Sequence, residues 1–231
     1  MAKKAFIAIG HGGSDPGAVA NGIKEKDANL VVGLACSNEL LRHGVDVMMS
    51  RKVDENDPLT ERIKECNAFK PDVALDIHNN AGGGDGAEVF HHYKGGTSKV
   101  LAQNVLDSIV ATTGQNSRGL KTKLNAQGRD YFGFIRETSA PAVIVECAFL
   151  DNKKDVQIID TEAEQKAMGV AIAKGVLKTL GITYKAEETE EDAKVGELGA
   201  KVKALQSEND SLKKKVEALT EKINNAKNAL Q

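Results

Sequence analysis

The sequence has no tryptophan, and aromatic residues make up only 4% of it. A core must therefore be built from Ala, Val, Ile and Leu, and at 41% hydrophobic over 231 residues there is enough apolar material for one domain plus an appendage. Cysteine is scarce: Cys36, Cys66 and Cys147 are odd in number and lack any ligand-like spacing. This excludes a disulfide framework and a zinc knuckle and leaves reduced core thiols. No apolar run is long enough to span a membrane, so no membrane anchor is expected. The opening MAKKAFIAIG has two lysines and a short apolar run but no cleavage site. No signal peptide is expected, and synthesis in the cytoplasm follows. Charge of one sign is also lacking, with 31 basic and 33 acidic residues and a net charge of −2. Nucleic acid, which draws on a strongly basic face, is not an expected partner.

Short apolar runs alternate with amphipathic ones. The pattern predicts strands over Lys4–Gly10, Val45–Ser50, Val73–His78, Ala87–Tyr93 and Ala142–Ala148. It predicts helices over Lys26–His43, Leu59–Phe69, Ser98–Thr113 and Ala163–Leu180, with Gly44 as a helix stop. Such alternation gives an α/β domain with a largely parallel sheet over residues 1–184. Sites in these sheets gather at the carboxyl ends of strands.

After Tyr184 the composition changes. Residues 185–193, including AEETEED, read as an acidic linker, and 194–231 as a heptad-repeat tail. Apolar residues recur at Val195, Leu198, Val202, Leu205, Leu212, Val216, Leu219, Ile223, Ala226 and Leu230, with Asn209 in the remaining seam position. Mostly β-branched residues share one seam position with Asn209, and Leu fills the other. That arrangement predicts a parallel two-stranded homo-oligomer through residues 195–230, with the asparagine setting register. Glu208 can pair with Lys213 of a second copy, whereas Lys222 faces Lys227. The alternative is one amphipathic helix docked on the domain, although a 3.5-residue period drifts around a straight helix.

Five histidines are present. His43 ends a predicted helix, where an imidazolium meets the last carbonyls. His91 and His92 are adjacent in a predicted strand and point to opposite faces; the favoured reading makes them surface residues, and the alternative sets one of them near a cleft. His11, in GHGGSDPGA, and His78, in LDIHNNA, both sit at strand ends. A catalytic zinc commonly takes three protein ligands and leaves one position open, and His/His/Glu is one such set. Glu25 opens the helix of IKEKDANL at the same rim, where it is either the third ligand or an ordinary acidic residue at a helix start. A phosphate-cradling reading of the glycine-rich stretch fails, because its glycine spacing matches neither nucleotide loop. Glu146 interrupts the apolar AVIVECAFL. A buried carboxylate has to be paired, protonated or metal-bound. It is either a general base or the partner of an arginine such as Arg129 or Arg136. Gly82–Gly86 reads as a flexible loop beside His78 that borders the groove.

These segments together resemble the zinc-dependent N-acetylmuramoyl-L-alanine amidases of the type 3 class. The likeness runs from Lys3 to about Leu180 through GHGGSDPGA, GIKEKDANL, MSRKVDEN, LTERIKECN, LDIHNNA, GAEVFHHY, RGLK and PAVIVECAFLDN. The resemblance implies a twisted, mostly parallel sheet of about six strands with helices on both faces. It implies Zn2+ held by His11, Glu25 and His78, Glu146 as catalytic base, and Asn80 lining the substrate site. It also implies peptidoglycan as substrate, cleaved between N-acetylmuramic acid and L-alanine, with a phage endolysin as the favoured member type, acting on the wall after release from the cytoplasm. Two departures are Ala8-Ile9, where the family often has Asp-Pro, and Cys147, where it often has Gly. A zinc peptidase acting on the stem peptide and a non-catalytic oligomeric wall-binding protein are the alternatives.

Overall fold

The computed structural model describes residues 2–186 and 190–228. Residues 187–189, in the middle of the expected linker, lie outside the described residues. The chain forms two compact units, 1–184 and 185–231. In the first, β1 (Lys4–Ile9) leads through a small hairpin, β2 (Val19–Ala20) and β3 (Ile23–Lys24), into α1 (Glu25–Arg42). There follow β4 (Asp46–Met49), α2 (Leu59–Phe69), β5 (Val73–Asn80), β6 (Ala87–His91), α3 (Thr97–Thr113), β7 (Ser117–Lys121) and α4 (Gly133–Glu137). Then come β8 (Ala142–Phe149), a 3-10 turn at Asp155–Ile158 and α5 (Glu162–Leu180). The second unit contains α6 (Glu190–Asn228).

Six strands form one sheet in the order β4-β1-β5-β8-β6-β7. Neighbours run parallel except at β8–β6. The expected mostly parallel α/β sheet is therefore present. β7 and α4 are elements that the apolar pattern did not predict. SRGLK has no alternating pattern because it is a half-buried edge strand, and GFIRE is too short to show a helical period.

The pleat sends alternate side chains to opposite faces. Val73, Leu75 and Ile77 of β5, with Val143, Val145 and Cys147 of β8, enter the large core under α1, α3 and α5. Ala74 and Ala142, one residue along, enter a smaller cluster with Phe6, Cys66 and Phe134 under α2 and α4. Helices thus cover both faces, one far more fully than the other. All three cysteines are free and buried, and Cys147 faces away from the side that carries Glu146, as alternation requires. His91 is 7% exposed, which corrects the surface reading: it lies within β6, on the face toward α3, and its Nδ1 is 2.8 Å from the His92 carbonyl. His43 meets the helix-end carbonyl of Glu39 at 2.9 Å.

α6 begins at Glu190, inside the stretch read as linker, because Glu and Ala are good helix formers and acidic residues suit a helix start. Its Leu198, Val202, Leu205, Leu212, Val216, Leu219 and Ile223 are all exposed. No helix among the described residues is long and apolar enough to cross a membrane.

α5 is closed by a capping box between Thr161 and Glu164 and ends at left-handed Gly181. It approaches its neighbours through two glycines. A Cβ at Gly169 would overlap the Val32 carbonyl oxygen of α1, and one at Gly175 would overlap the Val105 Cα of α3. These neighbours are backbone and cannot swing aside. Gly169→Ala and Gly175→Ala should each destabilise the domain by ~1–3 kcal/mol through overpacking. Thermal melts check this, and an unchanged melting temperature at either position would show that the helices slide apart without cost.

Candidate active site

β1 and β5 pair in parallel with Ile9 opposite Ile77. This register brings the residues that follow each strand core to the same rim. His11 is the second residue after β1, in a turn where His11 itself has φ 62, followed by Gly12 at φ 145 and Gly13 at φ 56. A non-glycine residue in the left-handed region is uncommon, and the two glycines continue a turn that few other residues could follow. Glu25 is the first residue of α1, delivered to the rim by the β2–β3 hairpin. His78 lies on β5, on the same face as Ala74 and Asp76.

The three side chains converge. His11 Nε2 is 3.1 Å from Glu25 Oε2, and His78 Nδ1 is 2.9 Å from Glu25 Oε1. One ligand-type atom from each of the three lies within 4.8 Å of the others. The imidazole rings stand edge to face with centroids 5.0 Å apart. Glycines make the room: a Cβ at Gly10 would strike the His78 ring, and one at Gly17 would strike both Glu25 and His11. The other nitrogen of each histidine faces a second carboxylate. His11 Nδ1 is 2.8 Å from Asp15, and His78 Nε2 is 3.5 Å from Asp76.

Glu25 is 4% exposed. Burial alone would raise its proton affinity, but hydrogen bonds from both imidazoles and the Ala18 N–H hold it far below the usual carboxylate range. Burial likewise disfavours a charged His78, yet Asp76 and Glu25 raise it well above its ordinary value. His11 is raised chiefly by its hydrogen bond to Glu25. The cluster is built to hold positive charge. Two imidazole nitrogens and one carboxylate oxygen, open to a cleft on the remaining side, match the donor set of a catalytic zinc with a free coordination position.

Glu146 lies on β8 directly opposite His78 in register. Its Oε2 is buried without a hydrogen-bond partner, and burial pushes the carboxyl up to about 7. The arginine alternative is not realised. Arg136 bonds Glu137 and the carbonyls of Asp130 and Tyr131, and Arg129 reaches Glu137. His11, Asp15, Asp76, His78 and Glu146 share a cleft of about 300 Å³ with an apolar wall of Leu59, Phe132, Phe134 and Ile144. Asn80 is not among the residues lining this cleft; its amide donates to Glu88 at 3.1 Å. Gly82–Gly86 does not line it either. Gly82 and Gly83 donate to Asp151 and Gly86 donates to Asp155, which ties the loop to the segment after β8.

Asp15, Asp76, Arg62 and the spacing glycine Gly17 received no role from the sequence. Asp76 had a legible signal, the same one that marks Glu146: a carboxylate in an otherwise apolar strand, two residues before a histidine on the same face.

Comparison with known proteins extends this geometry. Residues 6–178 match the family described as N-acetylmuramoyl-L-alanine amidase. The chain is 35% identical over 193 residues to the N-acetylmuramoyl-L-alanine amidase CwlM of Bacillus licheniformis, covering 80% of this chain and 74% of that one. It is 30% identical over 198 residues to the endolysin of Bacillus phage SPP1, covering 80% of this chain and 69% of that one. The solved structure of Cwp6 from Clostridium difficile superposes with a TM-score of 0.77 at 37% identity, over 78% of this chain and 30% of that longer one. With its sheet, its rim of histidines and carboxylates and these likenesses together, the chain belongs to the N-acetylmuramoyl-L-alanine amidase family.

Proposed function

We propose that this protein hydrolyses the amide between the lactyl group of N-acetylmuramic acid and L-alanine in peptidoglycan, with zinc as its cofactor. One observation carries the reading: His11, Glu25 and His78 converge, and the two histidines line a cleft in which Glu146 presents a buried, unpartnered carboxylate oxygen. His11, Glu25 and His78 would hold the ion. When bound, zinc supplies Lewis-acid polarisation of the scissile carbonyl and makes water more acidic.

The rest is done by the chain's own groups. Glu146 takes a proton from the water that attacks the carbonyl carbon. As the C–N bond breaks, Glu146 returns that proton to the departing alanine nitrogen, so that a carboxylate and an amine are released. A carboxyl whose proton affinity lies near neutrality suits both halves of this transfer. Leu59, Phe132 and Phe134 offer an apolar wall against which substrate packs and displaces water. On this reading the protein acts at the cell wall, and its likeness to the SPP1 endolysin supports a lysis role after release from the cytoplasm. The exposed seam of α6 supports a parallel dimer in register at Asn209, which would join two wall-binding catalytic units and raise avidity.

Purified peptidoglycan tests the activity. Digestion should expose L-alanine amino groups without releasing new peptide fragments, should stop with a chelator and should return with zinc. New peptide fragments would instead identify a stem-peptide hydrolase. Glu146→Gln should keep its zinc and lose ~10²–10⁴-fold in turnover. The same substitution has a stability consequence in the metal-free protein. The folded Glu146 binds its proton up to about pH 7, against 4.5 ordinarily. Between these values the folded chain holds more protons than the unfolded one, so stability falls as pH rises through the window, by about 3 kcal/mol. Glu146→Gln should therefore melt higher than the wild type above the window and equally below it; parallel melting curves at every pH would contradict this. Finally, Leu212→Lys in the full chain should halve the mass measured by light scattering and leave turnover of a soluble muropeptide unchanged.

A further inference from the structure

The ring of His78 is fixed from three sides. Gly10 lies against its face, where no side chain would fit. Glu25 meets Nδ1 at 2.9 Å, and Asp76 approaches Nε2 to 3.5 Å. Asp76 comes two residues before His78 on β5, so the pleat sets the two side chains on one face. It is 3% exposed, and an isolated carboxylate in that position would be too costly to keep charged.

It is not isolated. Arg62 of α2 places Nη1 3.3 and 3.4 Å from the two Asp76 oxygens. The rest of the guanidinium is clamped by Asp57: Nε and Nη2 donate to its carbonyl at 3.0 and 2.9 Å, and Nε is 3.1 Å from its carboxylate. Asp57 accepts from Ser50 Oγ at 2.6 Å, and Ser50 Oγ accepts the Ile9 N–H at 3.1 Å. A continuous line of polar groups thus runs from the end of β1 to the back of His78. A buried ion pair that served stability alone could be replaced by apolar side chains of the same volume. This one ends on an imidazole, and both Arg62 and Asp76 line the cleft.

We infer that Asp76, anchored by Arg62, is a positioning residue for His78: it accepts the Nε2 proton, fixes the ring and leaves Nδ1 with a free lone pair toward the metal position. The inference rests on the zinc reading given above. A metal-ligating histidine whose other nitrogen is held by a carboxylate is better oriented and more basic, and loss of such a carboxylate typically weakens metal binding roughly 10–100-fold.

The test is zinc affinity of the full-length protein, measured by competition with a chelating dye, for wild type, Asp76→Asn, Arg62→Gln and Gly169→Ala. Asp76→Asn should bind zinc roughly 10–100-fold more weakly. At saturating zinc its kcat should fall while its KM for a soluble muropeptide stays unchanged. Gly169→Ala should melt lower yet bind zinc like the wild type, which separates positioning from general destabilisation. Asp76→Asn that melts lower but binds zinc as tightly as the wild type would overturn the inference. If Asp76→Asn does not fold, Arg62→Gln decides: weaker zinc binding supports the role and equal binding overturns it. A wild type that takes up no zinc overturns the zinc reading and this inference together, whereas a zinc-binding wild type with indifferent variants overturns this inference alone.

Discussion

Glu25 keeps a carboxylate ionised with almost no water to solvate it, and the rim of the domain is arranged around that requirement. Oε1 has three partners and Oε2 has two. Oε1 faces His78 Nδ1, accepts the Asn79 N–H at 3.0 Å and accepts from the Asn29 amide at 3.4 Å; Oε2 faces His11 Nε2 and accepts the Ala18 N–H at 2.9 Å. Its place at the first position of α1 adds the favourable end of the helix dipole. The partners come from β1, β5 and the hairpin before α1, so the charge is satisfied only when distant parts of the chain are in register. Removing either imidazole leaves a buried charge partly uncompensated, which is far more costly than losing a surface pair.

The sheet separates stability from chemistry through its two-residue period. On β5, Val73, Leu75 and Ile77 enter the large core, while Asp76 and His78 line the cleft. On β8, Val143, Val145 and Cys147 enter the core, while Ile144 and Glu146 line the cleft. The core face is sealed by three long helices, with α5 drawn close to α1 and α3 at Gly169 and Gly175. The other face carries α2 and the short α4 over a small cluster. What those two helices leave uncovered, at the carboxyl ends of the strands, is the cleft.

How much of this was legible in the sequence depended on the range over which each signal acts. The buried strands and long helices follow from local apolar periodicity, which is why Leu59–Phe69 is read without error and most other boundaries fall within about two residues. β7 was not legible because an edge strand that is half-buried along its length needs no alternation. His11, His78 and Glu146 stood out as polar residues at strand ends or in apolar runs. Glu25 was legible only as one of two readings, a third ligand at the same rim or an ordinary acidic residue at a helix start; the resemblance favoured the first, and its burial between two histidines is a tertiary fact. Asn80 and Gly82–Gly86 are near His78 in sequence but are not among the residues that line the cleft: Asn80 is engaged by Glu88, and the glycines by Asp151 and Asp155. The β5–β8 register shifts between His78 and Asn80.

The neighbouring carboxylates Glu88 and Glu146 differ in how far their surroundings satisfy them. They face each other across β6 and β8 and share a face of the sheet. Glu88 is fully engaged: one oxygen accepts from Asn80 at 3.1 Å, and the other pairs with Arg118 at 2.8 Å, whose guanidinium also lies over the Phe149 ring. Glu146 has an oxygen with no partner, and among the described residues no cation lies within ion-pair distance of it. With the same chemistry, one carboxylate is neutralised by its partners while the other is left to choose between a proton and whatever enters the cleft. Folding alone would favour giving Glu146 a partner or replacing it by an apolar residue. Its place in AVIVECAFL, where its neighbours in sequence are apolar, leaves that oxygen available to a group entering the cleft, and this is the feature that motivates the role proposed for it above.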